Sequence, residues 1–327
     1  MRMVLLGDVM LGRLVNQRLK TAAPGFPWGD TLPVLDQADI RFANLECVLA
    51  DSGTPQPGKV FHFRSDTRNV AVLTAAGINA VSLANNHVLD YGAEALSETL
   101  PVLDSNGILH AGAGPDQDYA RRPAVRRVGQ TAVGFIAFTD NQPDWEAGPQ
   151  RPGVHYVPAD DSARHDPRVR DLLALVSRTK ARVDLLVVSA HWGGNWGAEV
   201  PPGHRRLGKA LVDAGSDLVF GHSAHIFRGV EIHRGRPIIY SAGDFIDDYA
   251  VDAEERNDQS FIFCVEFSGG VPVRLRLHPT VITGFQARLA GKSAQRIATR
   301  MQGLCARLGT QSEWSADTGV LEIPVGS

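Results

Sequence analysis

Eight short, strongly apolar segments recur along the chain, and segments with helical periodicity separate them. The apolar segments are 1–8 (MRMVLLGD), 38–46 (ADIRFANLE), 78–86 (INAVSLANN), 132–141 (AVGFIAFTDN), 183–192 (VDLLVVSAHW), 216–223 (SDLVFGHS), 236–244 (RPIIYSAGD) and 260–267 (SFIFCVEF). Several of them are almost wholly apolar, which is typical of strands that are buried on both faces of a sheet. Strands that alternate with helices predict an α/β fold.

The segments between these strands predict helices. In residues 92–107, Leu96, Leu100 and Leu103 lie on one helical face, and Gly107 marks the end. Similar patterns predict helices over 68–76, 166–180, 204–214 and 290–308, whereas 314–325 is either a final strand or an arm. Because no linker divides the chain, we predict one domain over residues 1–285 and a C-terminal helical extension, 286–327, packed on that domain.

Composition limits the classes of partner. With 327 residues, 43% of them hydrophobic, the chain can bury a large core. A net charge of −3 and the lack of a Lys/Arg run argue against a nucleic-acid partner. Three separate cysteines give no disulfide framework, which fits a reducing compartment. The N-terminal run lacks the features of a secretory signal, and no segment reaches the ~18 apolar residues of a membrane span. We therefore expect a cytoplasmic protein without a membrane partner.

Polar side chains that bind metals or protons follow the apolar segments where the predicted strands end. They are Asp8, Asn44, Glu46, Asn86, His87, Asp140, Asn141, His191, His222, His225 and Asp244. The carboxyl ends of strands in α/β sheets form an edge where ligands bind. Taken singly, Asp8 is explained equally well as a helix cap, His191 as a buried core imidazole, and Asn44 as a structural amide. Their joint recurrence favours a shared site.

The mixture of side chains suits a metal centre. Carboxylates, imidazoles and an amide oxygen, without thiolates, are suitable ligands for divalent Mn, Fe or Zn. Two such ions about 3.5–4 Å apart can activate a water and stabilise the oxygen that gains charge. The sequence therefore predicts two divalent metal ions as cofactors.

Six motifs along the chain carry a family resemblance: GDVMLGR, ANLECVL, LANNHVLDYG, SAHWG, FGHSAH and YSAGDF. Together they resemble the CapA family, named for poly-γ-glutamate capsule biosynthesis, a branch of the calcineurin-like metallophosphoesterases. The resemblance covers about residues 3–248. It implies a two-sheet β-sandwich flanked by helices, an αββα arrangement, with two metal ions at one edge.

The same resemblance implies roles for single residues. The metal ligands would be Asp8, Glu46, Asn86, His191, His222 and His225. Glu46 would bridge the two ions, and His222 and His225 would each bind one of them. His87 would be the unligated acid or base, with Asp90 orienting it. Met10 stands where metallophosphoesterases usually have a His, so the sequence leaves open whether one or two ions bind.

Four further residues are candidates for binding the substrate: Arg13, Arg64, Trp192 and Trp196. A guanidinium holds a carboxylate or phosphate in a bidentate manner, so the arginines would grip an anionic group. The tryptophans flank the glycines of HWGGNWG and would form a pocket wall. Surface ion pairs and buried packing are the alternatives. Asp247 and Asp248 are expected to cap a helix or to face solvent.

Three functions compete. The first is a metal-dependent hydrolase that cleaves a phosphoester or an amide, γ-glutamyl or peptide bond with metal-activated water, the leaving group taking its proton from His87. The second is a metal-assisted epimerase or isomerase that exchanges a Cα proton of an amino-acid or peptide substrate. The third is a non-enzymatic partner in capsule-polymer assembly. We expect the hydrolase, acting on a small-molecule or peptide substrate.

Overall fold

Two large β-sheets pack face to face in a computed structural model that describes residues 1–325 of the chain. The strands are β1 Arg2–Val9, β2 Ile40–Leu45, β3 Val48–Leu49, β4 Arg64–Ser65, β5 Ala80–Ser82, β6 Leu109–Ala111, β7 Ala113–Gly114, β8 Ala124–Val128, β9 Thr131–Thr139, β10 Gly153–Val154, β11 Leu185–His191, β12 Leu218–His222, β13 Val230–His233, β14 Arg236–Ile239, β15 Asp244–Ile246, β16 Gln259–Ser268, β17 Val271–Thr283, β18 Gln286–Leu289, β19 Glu313–Ser315 and β20 Val320–Pro324. The helices are α1 Arg13–Leu19, α2 Leu32–Leu35, α3 Val70–Ala75, α4 Gly92–Ser105, α5 Gln117–Arg121, α6 Pro167–Lys180, α7 Pro202–Asp213 and α8 Ala294–Arg307.

The first sheet has the strand order β19-β20-β17-β16-β1-β2-β5-β6, with β15 paired to β1 and β18 to β17. The second sheet has the order β13-β14-β12-β11-β9-β8. Short pairs β3-β4 and β7-β10 lie beside them. In the part of the chain that the structure describes, no helix is long and apolar enough to cross a membrane.

Side chains alternate between the layers. In β1, Met3 and Leu5 belong to the core between the two sheets, whereas Val4 and Leu6 pack on the opposite face, because successive residues of a strand point to opposite sides. Phe42 and Phe135 stack across the inner core with ring centroids 5.3 Å apart. Helices α1, α3 and α4 cover the outer face of the first sheet, and α6 and α7 cover that of the second. The predicted αββα fold class is confirmed.

The observed elements follow the predicted segments closely, with one informative difference. The apolar run 236–244 is not one strand, because β14 ends at Ile239 and Asp244 begins β15 in the other sheet. Near the C-terminus, the segment 314–325 contains strands rather than an arm, and β20 pairs with β17. Helix α8 packs against the core between the sheets through Ile297, Met301 and Cys305.

Strand register places two rows of polar residues opposite each other. In the first sheet Asp8 is the register partner of Asn44 on β2 and of Asp244 on β15. In the second sheet His191 lies between Thr139 on β9 and His222 on β12. Apart from Asp244, which begins β15, the residues of both rows lie at or near the carboxyl ends of parallel strands, which is the edge where the sequence predicts a site.

Candidate metal centre

Buried carboxylates and imidazoles from both sheets converge at this edge. Two groups of side chains could each hold a metal ion, since within each group the ligand atoms all lie within 4.8 Å of one another. Asp8, His191 and His222 form one group, and Asp8, Glu46 and His225 form the other. All five side chains are buried. The geometry favours Asp8 as the shared carboxylate, whereas the resemblance assigns that role to Glu46.

An amide network holds the carboxylates in place. The Asn44 side-chain nitrogen donates to Oδ1 of Asp8 at 2.8 Å and to Oε2 of Glu46 at 2.9 Å. Asn85 in turn donates to Oδ1 of Asn44 at 3.1 Å and to the Leu45 carbonyl at 2.9 Å. Both amides are buried. Asn44 therefore orients both carboxylates, and Asn85 holds Asn44 in position.

Several carboxylate oxygens here are buried without a hydrogen-bond partner within residues 1–325. They are Oδ2 of Asp8, Oε1 of Glu46, Oδ2 of Asp244 and Oδ2 of Asp247. Burial, and then the charges of Asp8 and Asp244, raise the pKa of Glu46 well above its ordinary value. Burial also raises the pKa of Asp244 and of Asp247. These buried carboxylate oxygens lack partners within those residues and repel one another. Such a group of oxygens fits a bound cation, because buried charges are normally paired or coordinate a metal.

Burial favours the uncharged form of the three histidines at this edge. Burial lowers the pKa of His222 to about 4 and also lowers the pKa values of His191 and His225. Nδ1 of His191 lies 2.8 Å from Nδ1 of His222, and its Nε2 lies 3.1 Å from Oδ1 of Asn86. Neutral imidazoles are the form that binds metals. The donor set therefore fits one or two divalent ions, and the side chain of Asn86 lies directly beside it.

His87 lies beside this cluster in an acid–base arrangement. Its Nδ1 donates to Oδ2 of Asp90 at 2.6 Å, and its Nε2 lies 3.8 Å from Oε1 of Glu46. Asp90 is fixed by the backbone nitrogen of Phe63, which donates to the same Oδ2 at 2.7 Å. The structure thus brings His87 and Asp90 together as the sequence predicts and directs Nε2 of His87 towards the carboxylates.

Lys59 is a site residue that the sequence analysis missed. Its ammonium group bonds to the Asp90 carboxylate and to the Asn86 carbonyl, and it lies 4.8 Å from the centroid of the Trp145 ring. Burial lowers the pKa of Lys59, although the charge of Asp90 opposes this. Lys59 lies in a loop of glycines and prolines, and nothing in its sequence context signals that the loop folds back onto the site.

Asp244, Asp247 and Tyr249 also belong to the surroundings of the site. Oδ1 of Asp244 accepts from Nδ1 of His225 at 2.8 Å, and the Tyr249 ring lies 5.2 Å from the His225 ring. The expectation of a helix cap or a solvent-facing side chain is wrong for Asp247, whereas Asp248 caps α1, because its Oδ2 accepts from the Leu14 backbone nitrogen at 2.9 Å. Asp247 is 3% exposed, and the buried carboxylate of Asp248 pairs with Arg13 at 3.3 Å. The three acidic residues within the short segment 244–248 were the sequence feature that could have indicated a place near the site.

Arg13 lies in an aromatic enclosure near the site. Its guanidinium carbon lies 4.9 Å from the ring centroid of Phe61, 5.2 Å from that of Phe63 and 5.9 Å from that of Tyr249. Its Nη1 is buried and has no hydrogen-bond partner among the residues that the structure describes. Phe63 contacts His87, with ring centroids 4.7 Å apart. Arg13 and His87 therefore both contact the Phe63 ring, and Arg13 keeps one donor group free of a partner in the described residues.

The other three candidate substrate-binding residues have different surroundings. Trp192 is fully buried, donates to the Tyr240 carbonyl at 2.9 Å and stacks on His204. It packs in the core and does not form a pocket wall, which corrects the prediction for this residue. The guanidinium of Arg64 donates to the Ser52 carbonyl at 3.0 Å and lies over the Tyr91 ring, which is a structural role. Trp196 is partly exposed, and its ring lies 6.5 Å from that of His225.

Comparisons with known proteins agree with this architecture. A probable polyglutamine synthesis accessory protein of Mycobacterium tuberculosis is 39% identical over 251 residues, which cover 74% of this chain and 65% of that protein. The PGA biosynthesis protein CapA of Bacillus subtilis is 28% identical over 74% of this chain and 62% of its own length. This chain therefore spans less than two thirds of the length of these relatives.

A solved structure supports the fold alone. A hypothetical protein from Thermus thermophilus superposes with a TM-score of 0.53 at 16% identity, over 85% of this chain and 98% of that chain. At the level of the family, the model described as Bacterial capsule synthesis protein PGA_cap matches residues 2–249, which include every ligand of the candidate metal centre. This chain belongs to the PGA_cap family of bacterial capsule synthesis proteins.

Proposed function

We propose that this chain is a metal-dependent hydrolase with a dinuclear centre. The observation that carries the proposal is the pair of ligand groups that share Asp8, with an unligated His87 beside them. His191 and His222 would hold one ion and Glu46 and His225 the other, with Asn86 as a further ligand. When bound, the ions supply Lewis acidity towards a substrate oxygen and lower the pKa of a water molecule.

The protein's own groups supply proton transfer and exclude solvent. Asp90 accepts from Nδ1 of His87 at 2.6 Å, which fixes the tautomer and leaves Nε2 without a proton. Nε2 would therefore first take a proton from the attacking water and then return it to the leaving group. Lys59 bonds to Asp90 and so holds this pair in position. His87 is 3% exposed, so solvent has little access to the proton that it transfers.

The substrate that these surroundings favour is anionic. Arg13 has a buried Nη1 without a partner in the described part of the chain, and a guanidinium pairs well with a carboxylate or phosphate. The names of the relatives place those proteins in polyglutamine or PGA synthesis. We therefore propose a phosphoester or an amide, γ-glutamyl or peptide bond in a molecule that bears carboxylate or phosphate groups.

Metal analysis followed by two substrate screens tests the proposal. Protein purified without chelator should contain about two equivalents of Mn, Fe or Zn per chain, measured by plasma mass spectrometry. The metal-loaded protein should then release phenolate from an aryl phosphate or aniline from a γ-glutamyl anilide. Protein that binds no metal even after reconstitution would exclude the hydrolase and leave the role of an assembly partner.

One observation favours a second candidate, a Cα epimerase. Met10 is fully buried in the core at the place where a metallophosphoesterase His is expected, so the site departs from the ligand set of phosphoester cleavage. Uptake of deuterium at Cα of a peptide substrate in heavy water, without cleavage, would identify this activity.

A further inference from the structure

A second polar pocket lies apart from the residues of the candidate metal centre. It has a volume of about 420 Å³ and is bounded by α5, by the segment 155–156 and by one face of α6. This size is typical of a small-molecule site. Its lining carries four arginines and only two acidic residues, so the pocket has an excess of positive charge.

Three of the arginines are available to a ligand. Arg122 and Arg178 are exposed, and among residues 1–325 their guanidinium groups make neither a hydrogen bond nor an ion pair. The guanidinium of Arg122 lies over the Tyr119 ring, 4.1 Å from its centroid, which leaves its N–H groups to a ligand. The guanidinium of Arg121 lies 4.0 Å from Oε1 of Glu146, which is too long for a hydrogen bond. Guanidinium groups in this state favour bidentate contacts with carboxylate or phosphate.

The fourth arginine forms a rigid wall. Arg168 donates to both oxygens of Asp166, at 2.9 and 2.7 Å, and to Oε2 of Glu146 at 3.0 Å. It also lies over the Tyr156 ring at 5.0 Å. Because Arg168 is already neutralised and fixed, it shapes the pocket, and the other three arginines carry the charge that a ligand would meet.

The floor of the pocket offers an acceptor to a ligand that can donate a hydrogen bond. His155 lines the pocket, is 5% exposed, and its Nδ1 donates to the Ala137 carbonyl at 3.0 Å. Burial lowers the pKa of His155 to about 4, so the ring is neutral at physiological pH. Nε2 is then an acceptor, and no described residue donates a hydrogen bond to it. A ligand that fits both features bears several carboxylates and also an N–H or O–H group.

The pocket is next to the metal centre along the second sheet. Tyr156 forms a parallel bridge with Thr139, and Thr139 is the register partner of His191. Two strand spacings of about 4.8 Å therefore separate the backbone at Tyr156 from the backbone at His191. The loop between β9 and β10 contacts both places, since Trp145 lies against Lys59 and Glu146 bonds to Arg168.

We propose that this pocket binds a carboxylate-rich peptide segment, with Arg121, Arg122 and Arg178 on its carboxylates and Nε2 of His155 accepting from a backbone N–H. A peptide supplies the repeated anionic groups and the amide donors together. The proposal goes beyond the proposed function, because binding in this pocket requires neither a metal ion nor cleavage.

Binding of fluorescein-labelled tetraglutamate, measured by fluorescence anisotropy at low salt, tests the proposal. The protein as purified should bind tetraglutamate and not tetraglutamine. Arg122→Ala and Arg178→Ala should each weaken binding about tenfold, since each removes a charge-assisted contact. Arg127→Ala, at an exposed position of β8 outside the pocket lining, is a matched control that should bind as the wild type does.

Other outcomes would overturn the proposal. Wild-type binding by both pocket variants, or loss of binding in Arg13→Ala alone, would show that the peptide does not occupy this pocket. Displacement by inorganic phosphate at the same concentration as by unlabelled tetraglutamate would show a small-anion site instead. Since binding should persist after treatment with EDTA, an absence of metal or of hydrolysis would leave this result unaffected.

Discussion

His87 and His191 are both buried imidazoles, and their neighbours give them different predicted roles. His191 lies between Oδ1 of Asn86 and Nδ1 of His222, where both ring nitrogens face other candidate ligands. His87 instead commits Nδ1 to Asp90. One imidazole is therefore placed to hold a metal, and the other to move a proton.

Alanine substitutions at these two positions should separate the roles. His191→Ala should lower the metal content per chain, because it removes one ligand from a group of three. His87→Ala should keep the metal and lower kcat about 10²–10⁴-fold, which is the usual contribution of general acid–base catalysis. Metal analysis and steady-state kinetics on the same preparations measure both effects. Full turnover by His87→Ala would remove His87 from the mechanism.

Arg13 is predicted to bind substrate without taking part in the chemistry. Arg13→Gln should raise KM for an anionic substrate about tenfold and leave kcat nearly unchanged, because the lost contact is present in both the ground state and the transition state. Arg18→Gln is the matched control, since Arg18 is exposed on the same helix and stacks on Phe26 instead. A fall in kcat with an unchanged KM would contradict this assignment.

At the scale of elements, the metal centre depends on how closely β1 approaches the segment before β15. A Cβ atom added at Gly7 would lie 1.8 Å from the Gly243 carbonyl oxygen. The Asp8 backbone nitrogen donates to the same carbonyl at 3.0 Å. Asp8 and Asp244 can be register partners only because residue 7 has no side chain.

Gly7→Ala should therefore lower both stability and metal content. The two strands would have to separate, which we expect to cost about 3 kcal/mol in the free energy of unfolding, measured by urea denaturation. Gly303→Ala is a useful contrast, because nothing lies within 4 Å of the added Cβ and the position is in the exposed part of α8. That change should raise stability by about 0.5–1 kcal/mol. Unchanged metal content in Gly7→Ala would refute the link between strand spacing and the site.

At the scale of the whole molecule, burial affects titratable groups far from the site as well. His278 on β17 has its pKa lowered to about 4, first by burial and then by the charges of Arg276 and Arg2. As the pH falls, His278 takes up a proton near pH 6.5 in the unfolded chain but only near pH 4 in the folded protein. The contribution to stability is therefore complete above about pH 6.5 and is lost as the pH falls towards about 4.

His278→Gln should flatten this part of the stability profile. Between about pH 6.5 and 4, the wild type should lose up to about 1.4 kcal/mol per pH unit more than the variant, which corresponds to one proton. Urea denaturation of EDTA-treated samples at several pH values measures the difference. The buried carboxylates of the site titrate in both proteins, so their effect cancels. Parallel profiles would show that His278 takes up its proton at the same pH in the folded and the unfolded protein.

The sequence was sufficient for the strand-end residues of the site. Asp8, Glu46, Asn86 and His191 follow apolar runs, and the parallel strands gather such positions at one edge. The sequence was insufficient where a chain segment changes sheet or folds back. Asp244 lies at the predicted edge, but it begins β15, which pairs with β1 instead of continuing β14, and this direct pairing with Asp8 could not be predicted from spacing. Lys59 comes from a long loop, so its proximity to Asp90 could not be predicted from spacing either.

The sequence by itself determined the features that depend on residues close together in the chain. Apolar periodicity specified the main strands and helices and the α/β class, because burial of those side chains depends on periodicity and little on distant partners. The αββα arrangement followed from the family resemblance. The tertiary structure alone decided that Trp192 packs in the core, that Asp8 is shared between two ligand groups, and that arginines of α5 and α6 meet over His155. Each of these depends on the distance between residues far apart in the chain, which only the packing of the two sheets and their helices sets.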